Sequence, residues 1–305
     1  MIERTPVLNI LTYLVMISGV IGMALPIYLV VVTASLPVER IGQTPPAFLP
    51  GGELFTNLAT AFERSGFADQ FMNSLTMAVT IVIGKIVLST MTAFAITYFR
   101  FPLKGLVFWA IFVTLMLPLE VRIVPTYAVA ANALEPFQQI LDWLYISDAI
   151  AAVTSIRVRL EWNLLDSFTG LTLPLMATAT GTFLYRQFFL SIPNELADAA
   201  KVDGAGAFRF FVDIAWPLSR TTTAALAIIM FISGWNQYLW PLLITTDPSM
   251  HTVVMGLSQL LPGADQRPEW NIAMAGALIV MLPPVLVVFA MHRLFIKGLM
   301  GGGAH

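Results

Sequence analysis

Residues 191–219 read SIPNELADAAKVDGAGAFRFFVDIAWPLS, a charge-bearing segment in the second half of a very apolar chain. Glu195, Asp198, Lys201, Asp203, Arg209 and Asp213 gather here, between runs apolar enough to lie in a membrane. The pattern predicts two short helices joined at a glycine turn. Pro193 suits the first helical turn, where its missing N–H costs nothing. Glu195 and Asp198 sit early, toward the positive end of the helix dipole. Gly204 follows the last periodic residue, where a left-handed cap is wanted. The second helix carries Phe208, Phe211, Val212 and Ala215 at helical spacing and is expected to stop at Pro217. On spacing alone, an amphipathic helix pair lying on a membrane surface is the competing reading.

Working outward, the composition sets the class. The chain has 305 residues, 57% of them hydrophobic and 11% charged, with a mean hydropathy of +0.79. Soluble domains carry about 25% charged residues, so this is a membrane protein by composition, and its stretches of spanning-helix length make the expected class all-α. A net charge of −2 gives no support for nucleic acid as a partner or for a polybasic lipid-binding surface. The absence of cysteine excludes disulfides, thiolate metal sites and a cysteine nucleophile.

A spanning helix needs about 20 apolar residues. Six stretches qualify: Leu8–Val32, Ser74–Phe99, Gly105–Tyr127, Leu171–Phe189, Thr222–Ile244 and Ile272–Phe295. The first is too long for a signal-peptide core of about 7–15 residues and is read as an uncleaved span. Thr33–Asn73, punctuated by Pro37, Pro45, Pro46, Pro50, Gly51 and Gly52, is read as a loop. With both termini inside, the inner segments hold nine basic residues (Arg4, Arg100, Lys104, Arg186, Lys201, Arg209, Arg220, Arg293, Lys297) and the outer ones five (Arg40, Arg64, Arg157, Arg159, Arg267). That bias favours N-in and C-in, with residues 190–219 in the cytoplasm. Residues 134–163 have helical apolar spacing but carry Asp142, Asp148, Arg157, Arg159 and Glu161. Charges cost about 2.5–3.5 kcal/mol each at a span centre, so the segment reads as an amphipathic outer-face piece.

No phosphate-binding glycine loop, zinc-protease helix or serine nucleophile elbow occurs, and the three histidines are far apart in the sequence. The chain is therefore read as non-catalytic, with no cofactor and no metal. Charged residues inside spans are functional candidates: Lys85 in the second stretch, and Glu120 and Arg122 in the third. They can pair to hold helices together, Lys85 can snorkel or meet a partner's carboxylate, or Lys85 and Arg122 can face a pathway and attract an anion. The fifth stretch ends in GWNQYLWPLLIT. Trp235, Tyr238 and Trp240 suit an interfacial belt, while Asn236 and Gln237 want either helix partners or a polar ligand. Prolines at 26, 118, 125, 241, 283 and 284 are expected to kink some spans.

The order Glu195, Ala199, Ala200, Asp203, Gly204, then Ile214 and Pro217, resembles the EAA loop of ABC-importer permeases. Other runs extend the resemblance over nearly the whole chain: FRFPLK (99–104), MLPLEVRIVPT (116–126), GLTLPLMATATGTFLYRQFF (170–189) and GWNQYLWPLLIT (234–245). They are similar to the carbohydrate-importer permease group, and within it they favour sn-glycerol-3-phosphate over maltose-like sugars. The resemblance implies a single six-helix type I importer permease domain over 1–305, multi-pass in a bacterial inner membrane. The loop then couples to an ATP-hydrolysing subunit through Glu195, Ala199, Ala200, Asp203 and Gly204. The candidate pathway residues are Lys85, Glu120, Arg122, Trp235, Asn236, Gln237 and Tyr238. Implied partners are a homologous second permease subunit, two copies of the ATP-binding subunit, a periplasmic substrate-binding protein and membrane lipid. Residues 134–163 depart from the shorter connection of the family members, as a periplasmic insertion. A sugar importer permease is the alternative within the family, and a self-sufficient secondary transporter the alternative outside it.

Overall fold

A computed structural model describes residues 6–157, 159–263 and 269–300, with the side chains of residues 6, 114–116, 119–120 and 292–300 outside that description. All regular structure among the described residues is helical. The chain opens with α1 (Pro6–Ala34), α2 (Leu54–Ser65) and α3 (Phe67–Tyr98), followed by α4 (Lys104–Met116) and α5 (Leu119–Ala131). Two short helices, α6 (Glu135–Trp143) and α7 (Ile146–Thr154), precede α8 (Phe168–Met176) and α9 (Ala179–Ser191). Then come α10 (Asn194–Val202), α11 (Ala207–Phe210), a π-turn at Phe211–Ala215 and α12 (Trp216–Leu218). The chain ends in α13 (Arg220–Trp235), α14 (Leu239–Ile244), α15 (Val253–Gln259) and α16 (Trp270–Met300).

Among the described residues, three helices are long and apolar enough to cross a membrane: Val7–Ala34, Phe67–Tyr98 and Trp270–Met291. A fourth span arises if Ala207–Leu218 and Arg220–Trp235, bent by 71°, are taken together. The third, fourth and fifth apolar stretches are each broken instead. Leu117 and Pro118 separate α4 from α5, Ala177 and Thr178 separate α8 from α9, and residues 236–238 separate α13 from α14. Pro118 accounts for the first break, since it cannot donate and crowds the preceding turn. Pro125 and Pro174 lie inside α5 and α8 without ending them.

Two compact units emerge, Met1–Asp69 with Val253–Pro283, and Gln70–Thr252 with Pro284–His305. In the first, the stretch read as a loop contains α2. The proline and glycine punctuation ends at Gly52, after which Leu54, Leu58 and Ala61 recur at one helical face. That face packs on Ala34, Ile272 and Ala275. Asn57 on α2 donates its amide to the carbonyls of Ala34 (2.8 Å) and Leu36 (3.0 Å), holding the end of α1, whose last carbonyls have no intrahelical partner.

In the second unit, α3, α5, α8 and α14 share a core of Met77, Ile81, Ile123, Leu171, Trp240 and Ile244. A second core joins α3, α9, α10 and the helix after it through Phe94, Tyr185, Phe189, Ala200 and Phe210. Asp166, at φ 49°, ties the approach to α8 to the exit from α14. Its carboxylate accepts from the Asp247 N–H at 3.0 Å, from the Thr246 hydroxyl at 2.7 Å, and from the Thr246 N–H. Those three donors, the Asp247 N–H first among them, hold the carboxyl below its ordinary range. Its contribution is therefore full above the unfolded value near 3.9 and is lost as pH falls through the lower folded value. Asp166→Asn keeps a residue that tolerates positive φ but loses the charge. The variant's thermal midpoint is expected to sit below wild type at pH 6, the gap closing as pH approaches 3. A gap independent of pH would remove the charge from the explanation.

Candidate functional site

Two places carry the residues singled out by sequence. The first is the polar loop. Pro193 caps α10, and Glu195 lies in its first turn and Lys201 in its last. Gly204 takes the left-handed conformation at φ 74°. The Ala205 N–H reaches back to the Ala200 carbonyl at 2.8 Å, and the Gly204 N–H to Lys201 at 3.0 Å. These two bonds are a Schellman ending with glycine at its left-handed position, as the spacing predicted. Ala200 is buried against the core, whereas Glu195, Ala199 and Val202 stand exposed at i, i+4 and i+7. Asp203 and Gly204 are exposed as well.

The helix beyond the turn differs from expectation. Phe210 and Ala215 face the core with Phe211 and Ile214 against it, while Phe208 and Val212 are exposed. It also continues through Pro217 to Leu218. The physical reason is the π-turn: the Trp216 N–H bonds the Phe211 carbonyl five residues back, widening the helix where Pro217 supplies no donor. Val202 and Phe208, 88% and 80% exposed, thus flank the glycine turn, uncovered among the described residues.

The second place is a cavity of about 680 Å³ where the helices break. Ser89 and Thr92 of α3, Leu117 between α4 and α5, Arg122 of α5, and Thr178 and Thr180 at the start of α9 line it. Lys85 sits one turn before Ser89, half-buried, within electrostatic reach of Arg122. Among the described residues neither cation takes part in an ion pair. The Glu120 side chain lies outside the described ones.

The remaining candidates are not brought to this cavity. Trp235 is 1% exposed, packed between Phe71 (edge-on, centroids 5.5 Å apart) and Phe231 (stacked, 5.9 Å). Asn236 and Tyr238 are exposed at the break after α13, and the Gln237 amide donates to the Ser233 carbonyl at 3.0 Å. Trp240 is fully buried, its indole N–H donating to the Gly170 carbonyl at 3.1 Å. An interfacial belt is thus not what the two tryptophans form. Sequence reading passed over Ser89, Thr92, Thr178 and Thr180, because hydroxyls in apolar runs ordinarily bond back to their own helix.

A chain with three long apolar helices, broken apolar stretches around a cavity and an exposed cap-bearing loop matches the family described as "Binding-protein-dependent transport system inner membrane component" over residues 85–301. The chain belongs to that family. It is 45% identical over 305 residues, covering 98% of each chain, to the "sn-glycerol-3-phosphate transport system permease protein UgpE" of Yersinia pestis bv. Antiqua (strain Antiqua). The protein of the same name from Brucella melitensis biotype 1 is 44% identical, also with 98% of each chain covered. Among solved structures, a bacterial ABC transporter involved in the import of the acidic polysaccharide alginate superposes with a TM-score of 0.71 at 17% identity. That match covers 95% of this chain and 97% of the other, and at such identity it speaks for the fold. A second structure, of the alginate transporter in complex with a pentasaccharide-bound periplasmic protein, gives 0.66 at 16% identity. This permease-family chain is therefore a membrane transport component whose regular structure, among the described residues, is helical.

Proposed function

We propose that this chain is one of two homologous membrane subunits of an ATP-driven importer of sn-glycerol-3-phosphate. The observation that carries the reading is the 45% identity, end to end, to permeases named for that transport system. In this reading the six spans are α1, α3, α4 with α5, α8 with α9, α13 with α14, and α16. Both termini face the cytoplasm, which the basic-residue bias supports. Helices α6 and α7 then lie in the periplasmic insertion at 134–163, and the loop at 190–219 is cytoplasmic. Glu195, Ala199, Ala200, Asp203 and Gly204 form the coupling element, where the exposed face of α10 meets an ATP-hydrolysing subunit present in two copies. A periplasmic binding protein delivers cargo to the outer side. The chain itself hydrolyses nothing; closure of the ATPase pair biases a two-state equilibrium between inward- and outward-open forms. Lys85, Glu120 and Arg122 lie on the pathway, where two cations await an anion, and Trp235, Asn236, Gln237 and Tyr238, at the break after α13, line it further along.

The test is ATPase activity of the reconstituted complex with its binding protein. Stimulation by sn-glycerol-3-phosphate and none by maltose is expected. Stimulation by maltose alone would keep the transporter class and overturn the cargo, and purification free of any ATPase would overturn the class.

A further inference from the structure

Helices α6 and α7 form a hairpin with two unlike faces. Glu135, Gln138 and Asp142 recur on one face of α6, and with Asp148 of α7 and Arg157 and Arg159 of the returning chain they line a polar cavity of about 510 Å³. That side satisfies itself. The Gln138 amide donates to the Asp142 carboxylate at 2.9 Å, and its oxygen accepts from the Leu160 N–H at 2.9 Å. Arg157 meets Asp148 at 3.5 Å and Arg159 meets Glu161 at 3.7 Å. At the base, Asn132 accepts from the Trp162 N–H at 3.1 Å and the Leu134 N–H at 3.2 Å, and donates to Glu135 and to the Leu160 carbonyl. The hairpin is thus mounted on the end of α5 with its polar side turned to the returning chain.

The other face is apolar and, among the described residues, uncovered. Phe137 and Ile140 are exposed along α6, and Val153 (85% exposed) and Ile156 at the far end of α7. Trp143 and Tyr145, 78% and 73% exposed, stand at the joint, and none of these six lines the polar cavity. An apolar face of this kind marks an interaction site.

Three observations choose a lipid surface as its occupant. The first is continuity. Only Asn132–Leu134 separate the hairpin from α5, whose Val121 and Val124 are exposed in an apolar stretch of spanning length. An apolar groove of about 580 Å³ leads from Ala133 and Trp162 at the hairpin's base to Val129 of α5 and Leu173 of α8. The second is ring chemistry: tryptophan and tyrosine at the joint suit the headgroup level, where one end of the ring is wet and the other apolar. The third is the paired polar side, which leaves the apolar face no charge with which to read a protein.

We propose that the α6–α7 hairpin lies in the headgroup boundary of the outer leaflet, with Trp143, Tyr145, Val153 and Ile156 entering the lipid. The outer placement rests on the six-span reading; the lipid seat stands on the hairpin. Residues 134–163 carry four carboxylates against two arginines, so the seat draws on apolar area rather than on anionic headgroups.

The chain has no cysteine, so single cysteines can carry a nitroxide. Ile140→Cys and Val153→Cys on the apolar face, and Glu161→Cys on the polar side, are assembled with cysteine-free partner subunits in phosphatidylcholine nanodiscs. Collisions with oxygen and with a nickel chelate are read by power-saturation EPR. At 140 and 153 oxygen is expected to collide freely, and the chelate about tenfold less often than at 161, the ratio that about 1.4 kcal/mol of exclusion gives. Trp143→Cys repeats the test should either variant not assemble. Chelate access at 140 and 153 equal to that at 161 overturns the seat. Shielding from both probes, or shielding that needs the binding protein, gives the face to a protein and overturns it too. Sidedness is read separately, by labelling Glu161→Cys with an impermeant maleimide in right-side-out vesicles. Shielding without labelling overturns the outer placement together with the six-span orientation and leaves the lipid seat. Labelling without shielding leaves the orientation and removes the seat.

Discussion

Gly204→Pro is expected to leave the chain inserted in the membrane and to lower ATP-driven uptake at least tenfold. Gly204 holds φ at 74°, whereas proline is locked near −65°, and the substitution deletes the N–H that reaches the Lys201 carbonyl. Together these cost roughly 3 kcal/mol or more, and about 1.4 kcal/mol is already tenfold in an equilibrium. The loss is local, because a Cβ at 204 meets nothing within 4 Å. Gly204→Ala therefore changes only backbone preference, by about 1–2 kcal/mol, and is expected to fall between wild type and proline. Glu195→Lys acts on the same element by a different route, placing a cation at the positive end of α10 and reversing the charge on its exposed face. Uptake into membrane vesicles, normalised to the amount of chain present, checks all three. Wild-type uptake in both Gly204→Pro and Glu195→Lys would remove the loop from coupling.

The second large effect belongs to Gly170, in the first turn of α8. Its N–H bonds the capping hydroxyl of Ser167 at 3.0 Å and its carbonyl accepts the Trp240 indole at 3.1 Å. A methyl group at this position would run into the Leu164 carbonyl, with the Ile244 side chain about 3.0 Å away. A backbone carbonyl has no rotamer to escape into, so relief requires moving the chain that leads into α8. Overpacking of this kind costs about 1–3 kcal/mol, and losing the buried indole bond adds about 1 kcal/mol. Gly170→Ala is expected to lower the detergent-solubilised thermal midpoint by several degrees. Trp240→Phe, which removes the donor without filling space, is expected to do so by less. The reverse order would mean that the indole bond, not the close approach, fastens α14 to α8.

The geometry of the loop at 191–219 was legible because its signals are local. A glycine after the last periodic residue, prolines at helix starts and an early carboxylate each act within one turn, so residue order reads as geometry. The three long apolar helices were legible as candidate membrane segments for a related reason: apolarity over such length has few other uses. What the order of residues hid was direction. Trp235 and Trp240 end an apolar run, and a tryptophan there looks the same whether it faces lipid or a core; only their neighbours Phe71 and Gly170, far away in sequence, settle it. The break at Ala177 and Thr178 has no proline at the joint, so nothing local announced it. Ser89 carries no mark of its own either, since its distinction is a bond not made. The spacing groups Phe208, Phe211, Val212 and Ala215 because periodic counting assumes 3.6 residues per turn, and the π-turn after Phe210 shifts the phase.

The three broken stretches also govern where the chain can be left alone. Each break sets free peptide groups that a continuous helix would have used up, and hydrocarbon offers them no partner. A continuous helix such as α1 tolerates lipid on every side; a joint such as 177–178 or 236–238 does not. For the chain before assembly, the bilayer is thus a good solvent at one end and a poor one in the middle. In the six-span reading proposed above, those joints, rather than the most apolar helix, are what a partner subunit must cover.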